Sequence, residues 1–324
     1  MFLSFSSLGK RIRCGIVLIA VACISAGNTR AAEPSGGGKP ADARLWRGKH
    51  FVWRVTNAPA PFYLVGSMHA LRGSDYPLPA VVDQAIANSQ KVILEIDPDA
   101  KDAPFLQRRL LLAGEYPYGV TIDQKVNPET FALLKRIARV PLADYSHHKP
   151  WAVAYFTMWQ QPERSRRESR RRLDRYTLKR VDRSARLSVD RYVYNRTRGH
   201  KEISGLETVD EFVQAFSSMS DADSESFLLE TIGYGVRFPQ LFADTIAAWK
   251  SGNTQRMYRL YAPRTRNNGY WRWLERRNLI WVSRIEEAIR SGKPTTVVAG
   301  ALHFCGPRSV IALLQKRGYK LEQM

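Results

Sequence analysis

The sequence predicts an α/β fold of the α+β kind, in which two strand-GxxH-helix-strand units at the ends of the chain form one sheet around a large helical insert. Three observations point there. The apolar run Phe62-Tyr63-Leu64-Val65 closes on Gly66-Ser67-Met68-His69, and Thr295-Thr296-Val297-Val298-Ala299 closes on Gly300-Ala301-Leu302-His303. Each GxxH is followed by a Gly/Pro loop, helical spacing and a second strand pattern. Between the two units the apolar period becomes helical.

In chain order, Val52-Trp53-Arg54-Val55 precedes the first GxxH strand. After His69, the positions Val81, Val82, Ala85 and Ile86 have helical spacing, and Lys91-Val92-Ile93-Leu94-Glu95-Ile96 reads as a strand. Within the insert, about 121–277, Asn127-Pro128-Glu129 starts a helix carrying Phe131, Leu134, Lys135 and Ala138. Lys149-Pro150 starts another with Trp151, Ala154, Tyr155 and Met158. Further apolar faces are Phe212, Ala215 and Phe216, then Phe227, Leu228 and Ile232, then Leu241, Ile246 and Trp249. The second unit continues through Gly306-Pro307 to Val310, Ile311, Leu313 and Leu314, stops at Gly318, and ends on the strand Tyr319-Lys320-Leu321-Glu322.

The N-terminus has the three zones of a secretory signal: Lys10-Arg11-Ile12-Arg13, the apolar run Gly15 to Ala22, and small residues around Ala31-Ala32. That run is shorter than the roughly 20 residues of a spanning helix, so cleavage near Ala31 or Ala32 and export to the periplasm or envelope are expected. Residues 1–32 are then the signal, 33–44 a Gly/Pro-rich flexible leader, and 45–324 the folded domain. Of 3 cysteines, Cys14 and Cys23 leave with the signal, so Cys305 has no internal disulfide partner and reads as a small buried hydrophobe rather than a soft ligand.

Two equivalent units packed together bring His69 and His303 to one place. Imidazole is the commonest protein ligand for transition metals and the usual base near neutral pH. Glu95 lies among Ile93, Leu94 and Ile96, where a buried carboxylate needs a partner or a cation, although strand alternation also permits an outward-facing Glu95. His147 and His148 are adjacent, so their rings diverge, and they read as loop residues. His50 and His200 lie in basic surroundings and read as surface residues.

At these positions the sequence resembles the TraB/PrgY/GumN family, bacterial relatives of the Tiki metalloproteases, and within it the GumN-like members. The resemblance runs from about Leu45 to the C-terminus. It rests on Leu64-Val65-Gly66-Ser67-Met68-His69, Leu78-Pro79, Val92-Ile93-Leu94-Glu95-Ile96-Asp97, Lys149-Pro150-Trp151, Gly205-Leu206-Glu207-Thr208, Trp249-Lys250-Ser251-Gly252-Asn253, Arg277-Asn278 and Val298-Ala299-Gly300-Ala301-Leu302-His303. It implies a metal-dependent, hydrolase-like core with His69, Glu95 and His303 at the metal and the pair Arg277-Asn278 nearby. Proteolysis, the activity of the animal relatives, makes a peptide or protein the implied substrate. The chain departs from the family at Asp210-Glu211-Phe212, where relatives carry Gln, and in an Arg-rich stretch that reads as an insertion.

Net charge is +20, much of it within 163–191, from Arg164 to Arg191. With an export signal, no nucleic-acid partner is expected. The stretch is either a binding surface for anionic envelope lipids or acidic polysaccharide, or a solubilising surface with no partner.

The expected function is metal-dependent, peptidase-like hydrolysis in the envelope, with Zn, Mn, Fe or Co held by His69, His303 and Glu95. Glu95 is either a ligand or the general base, Arg277 stabilises an oxyanion or orients Glu95, and Asn278 ligates or binds substrate. The alternative is a non-catalytic binding protein of the envelope or of exopolysaccharide export on the same scaffold. Oligomeric state is not encoded in any pattern found here.

Overall fold

The computed structural model describes residues 48–69, 71–137, 145–159, 188–263 and 268–324. The expected signal and leader, Leu45-Trp46 and most of the Arg-rich stretch fall outside the described residues. Among the described residues no helix is long and apolar enough to cross a membrane.

Six strands form one sheet: β1 (Val52–Val55), β2 (Phe62–Ser67), β3 (Lys91–Ile96), β4 (Glu202–Glu207), β5 (Thr295–Gly300) and β6 (Leu321–Gln323), in the order β4-β3-β5-β2-β1-β6. β4, β3, β5 and β2 are mutually parallel, while β1 and β6 add an antiparallel edge. The two GxxH strands are neighbours in the sheet, with Ser67 opposite Gly300. Both are buried along their whole length, as expected for central parallel strands covered on both faces. Helices α1 (Ala80–Ala87), α2 (Leu106–Ala113), α3 (Pro128–Ile137), α4 (Pro150–Val153), α5 (Val189–Thr197), α6 (Val209–Ser217), α7 (Asp221–Val236), α8 (Phe238–Lys250), α9 (Thr254–Tyr261), α10 (Gly269–Arg290) and α11 (Val310–Lys316) complete the mixed fold.

The two units differ in how they close. In the first, β3 runs parallel to β5, whereas in the second the last strand returns antiparallel to β1 at the far edge. The insert is largely helical, as its period predicts, but it also contributes β4. Glu202-Ile203-Ser204-Gly205-Leu206-Glu207 offers only two large apolar residues, too few to show a strand period, and pairing with β3 supplies what the pattern lacks. The helix expected after Lys149-Pro150 is α-helical only to Val153 and continues as a π-helix from Ala154 to Trp159. His50 corrects its surface reading: it is half-buried, and its backbone amide extends the sheet edge by donating to the carbonyl of Met324 at 2.5 Å.

The 22-residue helix α10 positions the site. Tyr270, Trp273, Leu274, Arg277, Trp281 and Ile285 recur on its buried face at helical spacing, and the Asn268 side chain caps it by accepting from the Trp271 amide at 3.0 Å. Its first residue, Gly269, lies against α7 so closely that a Cβ there would sit 2.0 Å from the Asp223 carbonyl oxygen. A stack of aromatic rings, Trp151, Phe216, Phe227 and Trp273, fills the space between α10 and the helices of the insert.

Candidate functional site

Parallel pairing brings the carboxyl ends of β2, β3, β4 and β5 to one edge, the usual location of ligand sites in open α/β sheets. His69 follows β2, Glu95 is next to last in β3, Glu207 ends β4, and His303 lies in a short 3-10 helix, Ala301–Phe304, directly after β5. Arg277 and Asn278 reach this edge from α10. All five residues expected from sequence meet here, and the outward-facing alternative for Glu95 is removed by its exposure of only 4%.

Arg277 is the hub. It is 1% exposed and held between Trp281, Trp273 and Phe212, whose ring centroids lie 4.4, 4.6 and 5.0 Å from its guanidinium carbon. Its Nη2 donates to Glu95 Oε2 at 2.8 Å, and its Nε donates to Glu207 Oε1 at 2.9 Å, with a second, shorter bond from Nη2 to the same oxygen. The other oxygen of Glu95 accepts the Gly300 amide at 2.7 Å, so the second GxxH motif binds the glutamate through its glycine backbone. Burial alone would raise the Glu95 pKa, but the Arg277 guanidinium is the chief charge that outweighs it and holds the carboxyl below its ordinary value. Glu207 moves upward, because burial and the neighbouring Glu95 charge exceed what Arg277 returns.

His303 is fully buried and stacked on Trp281, ring centroids 4.2 Å apart. Its Nδ1 donates to Asn278 Oδ1 at 2.6 Å, and the Asn278 amide is itself oriented by donating to the Arg308 carbonyl at 3.0 Å. That leaves a lone pair on Nε2, which faces Arg277 Nη1 at 3.3 Å. Burial and the adjacent guanidinium push the His303 pKa down to about 3, so the ring is neutral at physiological pH.

His69 has the opposite tendency. Its Nδ1 is 2.9 Å from Asp190 Oδ2, which also accepts the Ser67 hydroxyl. Its Nε2 is buried with no hydrogen-bond partner. Burial would lower the pKa, yet the charge and hydrogen bond of Asp190, together with Glu95, raise it on balance. Asp190 in turn is held below its ordinary value by His69 and Ser67, against the effect of burial. The Val189 amide donates to the Met68 carbonyl at 3.0 Å and so ties the start of α5 to the GxxH loop.

Asp190 and Glu207 were not among the residues expected at the site. Glu207 lies in the segment Gly205-Leu206-Glu207-Thr208 that carries part of the resemblance, which was the one signal pointing to it; the departure at Asp210-Glu211-Phe212 does not remove this segment from the site. Asp190 was obscured by the surrounding arginines. Among the described residues, His147, His148 and His200 take no part in these bonds: His147 and His200 are exposed, and His148 lies in an isolated bridge with Glu115. Cys305 is buried with its Sγ against the Ala301 carbonyl at 3.2 Å, and burial raises its thiol pKa, in line with a packing role.

The two histidines are held alike. In both, Nδ1 is committed to an oxygen acceptor; Nε2 of His303 faces Arg277, and Nε2 of His69 is buried and unpartnered. The carboxylates of Glu95 and Glu207 share the guanidinium of Arg277, and that of Asp190 pairs with His69. Among the described residues no three His, Cys, Asp or Glu side chains are gathered closely enough to hold an ion, and the guanidinium lies against Glu95 and His303.

A family model described as the TraB/PrgY/gumN family matches residues 51–323. No curated protein and no solved structure matches the chain significantly.

Proposed function

The chain belongs to the TraB/PrgY/gumN family, and from that premise and the geometry of the site we propose that it is an exported, metal-dependent hydrolase of peptidase type. The observation that carries the reading is the buried, unpartnered Nε2 of His69, at a sheet edge it shares with the buried side chains of Glu95 and His303. An orphaned polar atom costs about 1–3 kcal/mol, and a cation at this nitrogen would satisfy it.

In this reading His69 and His303 would hold the ion, and Glu95 would be a further ligand or the general base. Lewis-acid chemistry, with a water of lowered pKa, is what a divalent ion would supply there. Zn, Mn, Fe and Co all suit imidazole and carboxylate donors. Asp190 fixes the tautomer and orientation of His69, and Asn278 does the same for His303. Arg277 supplies a preorganised positive charge for a developing oxyanion, held in a water-poor setting by three aromatic rings. The Arg-rich stretch from Arg164 to Arg191 would hold the enzyme near anionic lipid or acidic polysaccharide.

The test is cleavage of a diverse peptide library by the purified protein, with and without chelator. Cleavage that chelator removes, that added divalent ion restores, and that a His69→Ala variant lacks is the expected result. A protein that cleaves nothing under any metal condition is instead a binding protein on the same scaffold.

A further inference from the structure

Exposed apolar side chains that are scattered singly over a protein surface need no explanation. Here most of them gather in one stretch. Of the seven large apolar side chains that the described residues leave exposed, four, Phe105, Leu111, Leu112 and Tyr118, lie between positions 105 and 118. Helix α2 sets their arrangement. Leu106 and Leu110 form its buried side, and Arg109 ties it to α6 by pairing with Asp210. At helical spacing Phe105, Arg108 and Leu112 stand on the opposite side, with Leu111 beside them. Phe105 is 56% exposed and Leu112 57%. Apolar residues on both sides are the pattern of a helix covered all round, yet the outer side of α2 is open among the described residues. Just beyond the helix, a turn from Pro117 to Val120 holds the Tyr118 ring fully in solvent. It is closed by the Val120 amide, which donates to the Pro117 carbonyl at 3.0 Å, and by Gly119 at a φ of 81°.

We propose that the outer side of α2, together with Tyr118, is a docking surface for an anionic lipid bilayer. Charge selects the sign of the partner. The chain carries +20, and in this stretch the exposed Lys101 and Arg108 have no ionic partner among the described residues, whereas Arg109 is held by Asp102 and Asp210. Net charge of that size also opposes a second copy of the chain on the same face. The apolar residues select the partner's chemistry. An acidic polysaccharide would meet Arg108 but offers no apolar phase to Phe105 and Leu112. The boundary between lipid headgroups and acyl chains accepts both, and it is where an amphipathic helix and an exposed tyrosine come to rest. The inference goes beyond the hydrolase reading and does not depend on it. To attraction by the Arg-rich stretch it adds a contact that salt does not screen.

The experiment is sedimentation of the purified protein with vesicles of phosphatidylglycerol and phosphatidylcholine in equal parts, and with vesicles of phosphatidylcholine alone. Each is run at about 0.1 M and about 1 M salt, between which the Debye length falls from about 10 Å to about 3 Å. The central variant combines Phe105→Gln and Leu112→Gln. It leaves the net charge at +20 and alters only exposed side chains, so its melting temperature should match that of the wild type. The wild type should bind the anionic vesicles, and the double variant should bind them about tenfold or more weakly at both salt concentrations, the effect of withdrawing two large apolar side chains from the lipid. Arg108→Gln should weaken binding at the lower salt only, and Tyr118→Ser at both. The same change at another exposed pair, Leu279→Gln with Ile280→Gln, should leave binding as in the wild type.

Equal binding by the wild type and the Phe105, Leu112 variant would mean that charge alone holds the protein to the vesicle, and would overturn the proposal. An equal loss in the Leu279, Ile280 variant would overturn it too, because any exposed apolar pair would then serve. A wild type that ignores vesicles but binds polygalacturonate makes a polysaccharide the partner. A wild-type dimer that the double variant splits, with vesicle binding unchanged, makes the face a contact between copies. Both results contradict docking on lipid. Should the double variant melt lower than the wild type, Tyr118→Ser decides, since that ring lies outside the helix and fully in solvent; unchanged vesicle binding there overturns the proposal. None of these outcomes bears on the hydrolase reading, which stands or falls on peptide cleavage with and without chelator.

Discussion

Asp190 Oδ2 lies 2.9 Å from His69 Nδ1, joining the first turn of α5 to the loop after β2. The acceptor fixes which nitrogen carries the proton, and so which one faces the site. Asp190→Asn should reduce divalent-ion affinity by about 10- to 100-fold, the usual effect of losing a histidine's carboxylate partner. Calorimetric titration beside Ser67→Ala, which removes only the hydroxyl donor to the same oxygen, measures it; equal small losses in both variants would contradict the role.

Asn278 plays the corresponding part for His303. Asn278→Ala strands a buried Nδ1–H and the Arg308 carbonyl, so stability should fall by about 1–3 kcal/mol, read from denaturant midpoints. Nitrogen NMR of the imidazole should show a second tautomer that the wild type lacks.

Gly269 allows α10 to lie against α7. Gly269→Ala would place a methyl group 2.0 Å from the Asp223 carbonyl oxygen, and because that neighbour is backbone, the helices must separate. A loss of about 1–3 kcal/mol is expected from overpacking, with a further loss of metal affinity, because α10 carries Arg277 and Asn278. Gly292, with open space around its Cβ position but a positive φ, is the comparison site at which Ala should affect stability and spare the metal.

Glu211 is held at about 2 by hydrogen bonds from Arg284 and from the Thr208 amide. A depressed carboxylate stabilises the fold above its ordinary value of 4.5, and the contribution is lost as pH falls towards about 2. Gln retains the capping box with Thr208, so Glu211→Gln isolates the charge pair. The melting-temperature gap between wild type and variant should be constant from pH 7 to pH 5 and shrink below pH 4.5. A gap that widens on acidification would contradict the assignment.

Much of this site is legible in the sequence because the chemistry coincides with strand ends. Apolar runs ending in GxxH mark β2 and β5, and a glutamate inside an apolar run marks β3. The adjacency of β2 and β5 is not written in either segment; it depends on β5 inserting between β2 and β3 from more than 200 residues away. Glu207 escaped because edge-strand β4 is short of apolar residues, and Asp190 because one acid among many arginines resembles surface. The direct contact of Arg277 with both Glu95 and Glu207 is a product of the α10 packing, which no local pattern specifies.

The central claim is that His69 and His303 share a divalent ion with Glu95. The most direct measurement is the metal content of protein purified without a histidine tag, paired with its melting temperature in divalent ion and in chelator. The account predicts about one ion per chain and, with the ion at about 100 times its Kd, a stabilisation near 2.7 kcal/mol, on the order of 5 °C or more. His69→Ala and His303→Ala should each lose most of the metal and the shift, while His147→Ala and His200→Ala keep both. Stoichiometric metal in the His69→Ala, His303→Ala double variant, or a wild type whose melting ignores divalent ions, would contradict it.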